Sequence, residues 1–161
     1  MGATRLESSA NRRLRRISAA DRRARMKRKD DVGSCDACAA QFPYHLIHNG
    51  FNDSGYAYCD TCGRTALLDW YGRPGNVDFE PFKRIDKEVE SHLLPCSCGG
   101  HFSADAEPRC PSCSHKLSPT EAASWIESNA PGAAKGWCWQ GNWCDTYCII
   151  INQDKVNNPW N

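Results

Sequence analysis

Eight of the eleven cysteines in this 161-residue chain fall into four tight grips. Three are CxxC pairs, Cys35 with Cys38, Cys59 with Cys62, and Cys110 with Cys113; the fourth is the CxC of Cys96 and Cys98. Two thiolates so close in sequence can hold one ion from a single turn, because the turn brings both sulfurs to one side. Four soft sulfur ligands about 2.3 Å from the ion complete the tetrahedron that Zn²⁺ prefers. Eight ligands in four grips therefore make two closed sites, and four-thiolate coordination leaves each zinc site with a formal double negative charge. Iron suits the same donor set. A catalytic zinc keeps a coordination position open for water, and a full set of four thiolates does not. His45, His48, His101 and His115 lie near the grips in sequence; the expectation is that they sit beside a site or on the surface rather than replace a cysteine.

The competing explanation for so many cysteines is a disulfide framework, which usually accompanies a secretory signal. The N-terminal stretch MGATRLESSANRRLRRISAADRRARMKRKDD has neither an apolar core region nor a cleavage-site pattern. No run approaches the length of a membrane span. Reduced thiols holding metal in a cytoplasmic protein are the expectation. Redox use of CxxC would need a βαβ setting with the pair near a helix start, which four such grips do not resemble.

The knuckles CDAC, CDTCG, CSCGG and CPSC resemble those of zinc ribbons with rubredoxin-like knuckles, two in tandem. The likeness covers residues 35–63 and 95–117, and segment 35–161 as a whole is similar to small uncharacterised bacterial zinc-ribbon proteins. The resemblance implies that Cys35, Cys38, Cys59 and Cys62 hold one Zn²⁺ and that Cys96, Cys98, Cys110 and Cys113 hold another. A cross-braced pairing, first grip with third and second with fourth, stays open beside it.

Elements that would position these grips can be read between them. Tyr44–Ile47 and Tyr56–Tyr58 suit strands, and the NG and NDSG turn signals between them predict a hairpin with a cysteine pair at each end. Residues Thr65–Tyr71 read as a short apolar turn or helix, followed by the loop GRPGN. Phe82, Ile85, Val89 and Leu93 recur at spacings of three, four and four, predicting a helix over Glu80–Leu94. A second helix is signalled by Ser118 as N-cap, Pro119 in the first position and Glu121 completing a capping box, with Ala122, Trp125 and Ile126 on its buried side.

The last segment, GWCWQGNWCDTYCIIIN, holds Cys138, Cys144 and Cys148, none in a CxxC. Its alternating large residues around the GN pair predict a β-hairpin, with a third strand near Lys155–Val156. Free cysteine packs like a small apolar group, so core packing is expected of all three, ahead of a third metal site or reactive thiols. The fold class is thus small, metal-stabilised α+β: two zinc ribbons, short helices and a C-terminal antiparallel β-hairpin or meander. The expected divisions are a basic arm over 1–34, disordered or partly helical; ribbon 1 over 35–75; a connecting helix over 76–94; ribbon 2 over 95–117; and a helix plus aromatic-rich meander over 118–161, packed on the ribbons.

Charge is unevenly spread. Residues 1–34 carry net +7 and residues 35–161 net −6. Arg12, Arg13, Arg15, Arg16, Arg22, Arg23, Arg25, Lys27, Arg28 and Lys29 make the arm a candidate for phosphate contact, set against a solvated tail. Trp137, Trp139, Trp143 and Trp160 are candidates for an aromatic partner-binding face, set against a second small core. Three functions follow. The first is a non-enzymatic zinc-organised interaction module, an adaptor or antidote whose acidic surface covers a basic protein. The second is a nucleic-acid-binding protein that uses the arm. The third, an enzyme with an open zinc site or a redox-active thiol, has the least support.

Overall fold

Strand β2 (Gln41–His48) begins with a period of two: Phe42 and Tyr44 are buried while Gln41 and Pro43 are exposed. It lies between β1 (Asp31–Ser34) and β6 (Tyr147–Ile151), antiparallel to both, in a three-stranded sheet. A second sheet has the order β5 (Phe102–Ser103), β3 (Ser54–Cys59), β4 (Thr65–Asp69), β7 (Lys155–Asn157), with β7 parallel to β4. The computed structural model describes residues 31–49, 53–81, 83–136, 141–144, 147–152 and 154–161.

The two sheets pack face to face, and alternation along the strands makes three apolar layers. Tyr56 and Tyr58 of β3 meet Cys148 and Ile150 of β6 between the sheets. Tyr58 accepts a hydrogen bond from the Ile149 N–H (3.0 Å), and the Thr65 hydroxyl donates to the Ile149 carbonyl (3.2 Å). Ile149 and Ile151 point the other way, toward helix α2 (Pro119–Asn129), together with Phe42 and Tyr44. Burial on both faces explains why β6 reads as a continuous isoleucine run rather than an alternating one. On the far side of the second sheet, Ala57, Ala66 and Leu68 pack with Phe79, Ile85, Val89 and Trp160.

Helix α2 starts as its sequence predicts: the Ser118 side chain accepts from the Glu121 N–H, and Glu121 accepts from the Ser118 N–H, the reciprocal capping box. Trp125 packs edge-on to Phe42 with ring centroids 5.3 Å apart. Gly33 of β1 is required there, since a Cβ would stand 2.9 Å from the Phe42 ring and 3.0 Å from Trp125. A four-residue turn of helix, α3 (Ala133–Gly136), follows.

Five expectations need correction. Strands β2 and β3 do form, but they do not pair; both edges of β2 are taken by β1 and β6, so the two diverge into different sheets. Residues 65–69 are a strand, held in register with β3; five apolar-rich residues are too few to separate the two periods by sequence. The helix expected over 80–94 shrinks to α1 (Lys87–Glu90), N-capped by Asp86. Upstream of it, the Tyr56 N–H donates to the Lys83 carbonyl and the Ile85 N–H to the Tyr56 carbonyl, so residues 83–85 run extended to satisfy the open edge of β3. Ile85, Val89 and Leu93 still pack in the same core, whereas Phe82 lies outside the described residues. At the C-terminus, the first arm of the hairpin expected around Gly141–Asn142 falls on residues 137–140, outside the described ones, and the expected third strand, β7, joins a different sheet from β6 instead of extending a meander. The arm boundary also moves, because β1 begins at Asp31, inside the stretch expected to be a tail.

Candidate metal centre

Each grip is the tip of a turn closed by its own backbone. The Cys35 N–H donates to the Ala40 carbonyl and the Ala39 N–H to the Cys35 carbonyl, at 3.0 and 2.8 Å. The same pair recurs from Cys59 to Arg64 and from Gly63 to Cys59 (2.8 and 2.9 Å), and from Cys110 to His115 and from Ser114 to Cys110 (2.9 and 3.0 Å). In the shorter CxC grip, Cys96 donates to Gly100 and Gly99 to Cys96, both at 2.8 Å. The residue after the second cysteine has positive φ in all four: Ala39 (58°), Gly63 (73°), Gly99 (90°) and Ser114 (60°). The left-handed turn is needed to bring both sulfurs to one side, and two of the four grips make it without glycine. The first two grips cap the β1–β2 and β3–β4 hairpins.

The eight sulfurs gather into two sets. Cys35, Cys38, Cys110 and Cys113 form one, and Cys59, Cys62, Cys96 and Cys98 the other; within each, all sulfurs lie within 4.8 Å of one another. Across the grips, Cys35 to Cys113 and Cys38 to Cys110 are each 3.7 Å, Cys59 to Cys98 is 3.5 Å, and Cys62 to Cys96 is 3.7 Å. Sulfurs about 2.3 Å from a central ion at tetrahedral angles would be about 3.8 Å apart. The sets fit a metal ion; they are too far apart for S–S bonds, which need about 2.05 Å.

This pairing is neither the sequential one implied by the ribbon resemblance nor the cross-braced alternative. It is nested, first grip with fourth and second with third. The reason is the strand arrangement: with β2 and β3 in different sheets, the grips at Cys35 and Cys59 cap different hairpins. Each recruits its partner grip from the chain beyond residue 95.

In both sets one cysteine of each grip is buried and the other exposed: Cys35, Cys110, Cys59 and Cys96 face inward, and Cys38, Cys113, Cys62 and Cys98 outward. The Gly100 N–H pulls the Cys98 thiol down to about 7. Burial pushes Cys110 up, but the N–H groups of Cys113 and Ser112 outweigh it and bring that thiol to about 7 as well. Burial drives Cys59 well above the ordinary thiol value. In each set, then, one thiol ionises more readily than an ordinary cysteine, which suits the set to a divalent cation.

Neighbouring groups hold the turns in place. Glu121, besides capping α2, accepts from the Asp36 N–H at 3.0 Å and so ties the first grip to the helix. Burial pushes its carboxyl up, but the N–H groups of Ser118 and Asp36 prevail and hold it below the usual glutamate value. Asp60 joins the two halves of the second set: its N–H donates to the His101 carbonyl, and its side chain accepts from the His101 N–H, each at 2.9 Å. Gly100 must be small, since a Cβ would sit 2.5 Å from Thr61 Oγ1. The second link of Glu121, and the bridging role of Asp60, had no signal in the sequence beyond their place beside a cysteine or in a cap.

Arg12, Arg13, Arg15, Arg16, Arg22, Arg23, Arg25, Lys27, Arg28 and Lys29 lie outside the described residues, as do Trp137, Trp139 and Cys138. Trp143 and Trp160 are half-buried against different cores, Trp143 on the α2 side and Trp160 beside Phe79. These two therefore do not share a face. Cys144 and Cys148 are buried; the Cys148 thiol donates to Asn49 Oδ1 at 3.7 Å, and burial pushes it up to about 12. Both behave as packing groups. No described helix is long and apolar enough to cross a membrane.

Fold and site together define a small α+β protein with two four-cysteine groups that could hold metal ions. The chain belongs to the family described as Domain of unknown function (DUF8255), whose model matches residues 32–119, more than half of its length. That match opens in β1, takes in all eight clustered cysteines and closes at the first residue of α2. No curated protein matches the chain, and no solved structure does.

Proposed function

We propose that the protein is a non-enzymatic zinc-binding interaction module, rigidified by two structural Zn²⁺ ions, whose acidic body docks on a basic protein partner. One observation carries the reading: eight thiols form two complete sets of four, at the edge length of a tetrahedral sulfur site. A complete thiolate shell leaves zinc no position for water or substrate, so its contribution is to hold turns together. The net −6 over residues 35–161, deepened by two dianionic metal centres, favours a basic partner, as an adaptor or an antidote to a basic enzyme would need. The +7 of residues 1–34 supports a second reading, nucleic-acid binding through the arm.

Metal analysis tests the scaffold: two Zn²⁺ per chain, with the eight thiols resisting alkylation until a chelator is added, is the expected result, and one or three would contradict it. Truncation separates the two partner classes, and the cut belongs before Asp31, because removing residues 1–34 would also remove β1. Residues 31–161 should retain protein-partner binding. Salt-sensitive affinity for nucleic acid that disappears with residues 1–30 would favour the second reading.

A further inference from the structure

We infer that Arg109 couples the two four-thiol sites, so that they take up metal cooperatively as one unit. The inference rests on the reading of those thiols as metal sites. Arg109 immediately precedes Cys110, a ligand candidate of the first set, and Asp60 immediately follows Cys59, one of the second. The Arg109 guanidinium spans the gap: Nη1 donates to the Ser114 carbonyl inside its own turn at 2.9 Å, and Nη2 to the Asp60 carbonyl at 2.8 Å. The backbones of the two turns also abut, because a Cβ on Gly63 would stand 2.4 Å from the Arg109 nitrogen. Asp60 in turn clasps His101 through two hydrogen bonds, and so reaches the grip of Cys96 and Cys98.

The chain of contacts is continuous from one set to the other. A set of four cysteines without its ion must order two separate turns against their conformational freedom. Filling the first site fixes the Cys110–Cys113 turn and with it the guanidinium. That guanidinium then holds Asp60 in the position the second site requires, so part of the ordering cost is met before the second ion arrives. A cation placed between two anionic centres also offsets their repulsion, which would otherwise set the sites against each other. Reciprocity requires the second site to help the first by the same factor.

Native mass spectrometry at one Zn²⁺ per chain reads this directly. Independent sites of equal affinity leave about half of the chains with one ion; a fivefold coupling lowers that to about 30% and a fiftyfold coupling to about 12%, within the usual range of coupling strengths. Wild type should show mainly empty and doubly loaded chains. Arg109→Ala should raise the singly loaded fraction toward half, with Arg109→Lys, which keeps the charge but not the fork, in between. A singly loaded fraction of half or more in wild type, or one unmoved by Arg109→Ala, overturns the inference. Should Arg109→Ala fail to fold, single-site proteins supply the measurement. Cys38→Ser with Cys113→Ser should weaken zinc binding at the second site about 5–150-fold, and Cys62→Ser with Cys98→Ser should weaken the first by the same factor. Unchanged affinity at the surviving sites overturns the coupling, while failure of the wild type to bind zinc at all overturns the metal reading beneath it.

Discussion

At the residue scale, the four grips are one backbone device built with different amino acids, and the differences are measurable. Gly63 combines positive φ with contact against the Arg109 backbone, so Gly63→Ala meets left-handed strain of about 1–2 kcal/mol and a steric clash besides. Chemical denaturation of the zinc-loaded protein should show a loss above about 2 kcal/mol. At Ala39 and Ser114 the same strain is already present, and glycine would relieve it at a smaller entropic cost. Ala39→Gly and Ser114→Gly should each stabilise by up to about 1 kcal/mol, and a loss at both would contradict the shared geometry. Glu121 carries a pH signature. Its folded-state carboxyl is held below the ordinary value, so its contribution is present above the unfolded value and disappears as pH falls through the folded one. Glu121→Gln should cost about 1 kcal/mol at neutral pH, as capping losses do, and the gap between variant and wild type should close in acid.

Among the elements, which residues could bind metal was legible from spacing alone, but which grips meet was not. Spacing constrains a turn of four to six residues; pairing depends on which strands share a sheet, and that is decided by contacts dozens of residues apart. Strand β6 illustrates the difficulty. Its Cys-Ile-Ile-Ile run announces burial on both faces, yet nothing local says that it will separate β2 from β3 by filling the edge where a hairpin was expected. The apolar stripe at Ile85, Val89 and Leu93 likewise named true core residues while implying too long a helix, because the edge of β3 claimed the backbone of residues 83–85. Helix α2 was readable in full, since its cap, its proline and its buried face all act within one element. Its packing has a local consequence: Cys35 and Cys110 share a core with Trp125, whereas Cys59 and Cys96 belong to the opposite core. Trp125→Ala should cost about 3–5 kcal/mol. Under chelator competition it should weaken metal binding at the first set more than at the second, which loses only the help it draws from the first through Arg109; equal weakening would mean that α2 does not support one site selectively.

At the scale of the whole molecule, two sheets, three apolar layers and two four-thiol sets interlock among the described residues, with chain segments distant in sequence joined at each set. Cys35 and Cys113 bracket most of the family-matched region, so the first set closes a long loop and the second a shorter loop inside it. With both sets holding metal, as proposed, metal affinity would be folding energy. Chelation should therefore lose tertiary structure, seen as collapse of near-ultraviolet dichroism, and lowering the pH should do the same by reprotonating the thiolates. The nested pairing itself is tested most directly by replacing zinc with ¹¹³Cd and recording through-bond proton–cadmium correlations. Cys35, Cys38, Cys110 and Cys113 should all couple to one cadmium resonance, and Cys59, Cys62, Cys96 and Cys98 to a second. Correlation of Cys35 and Cys38 with the same cadmium as Cys59 and Cys62 would contradict it.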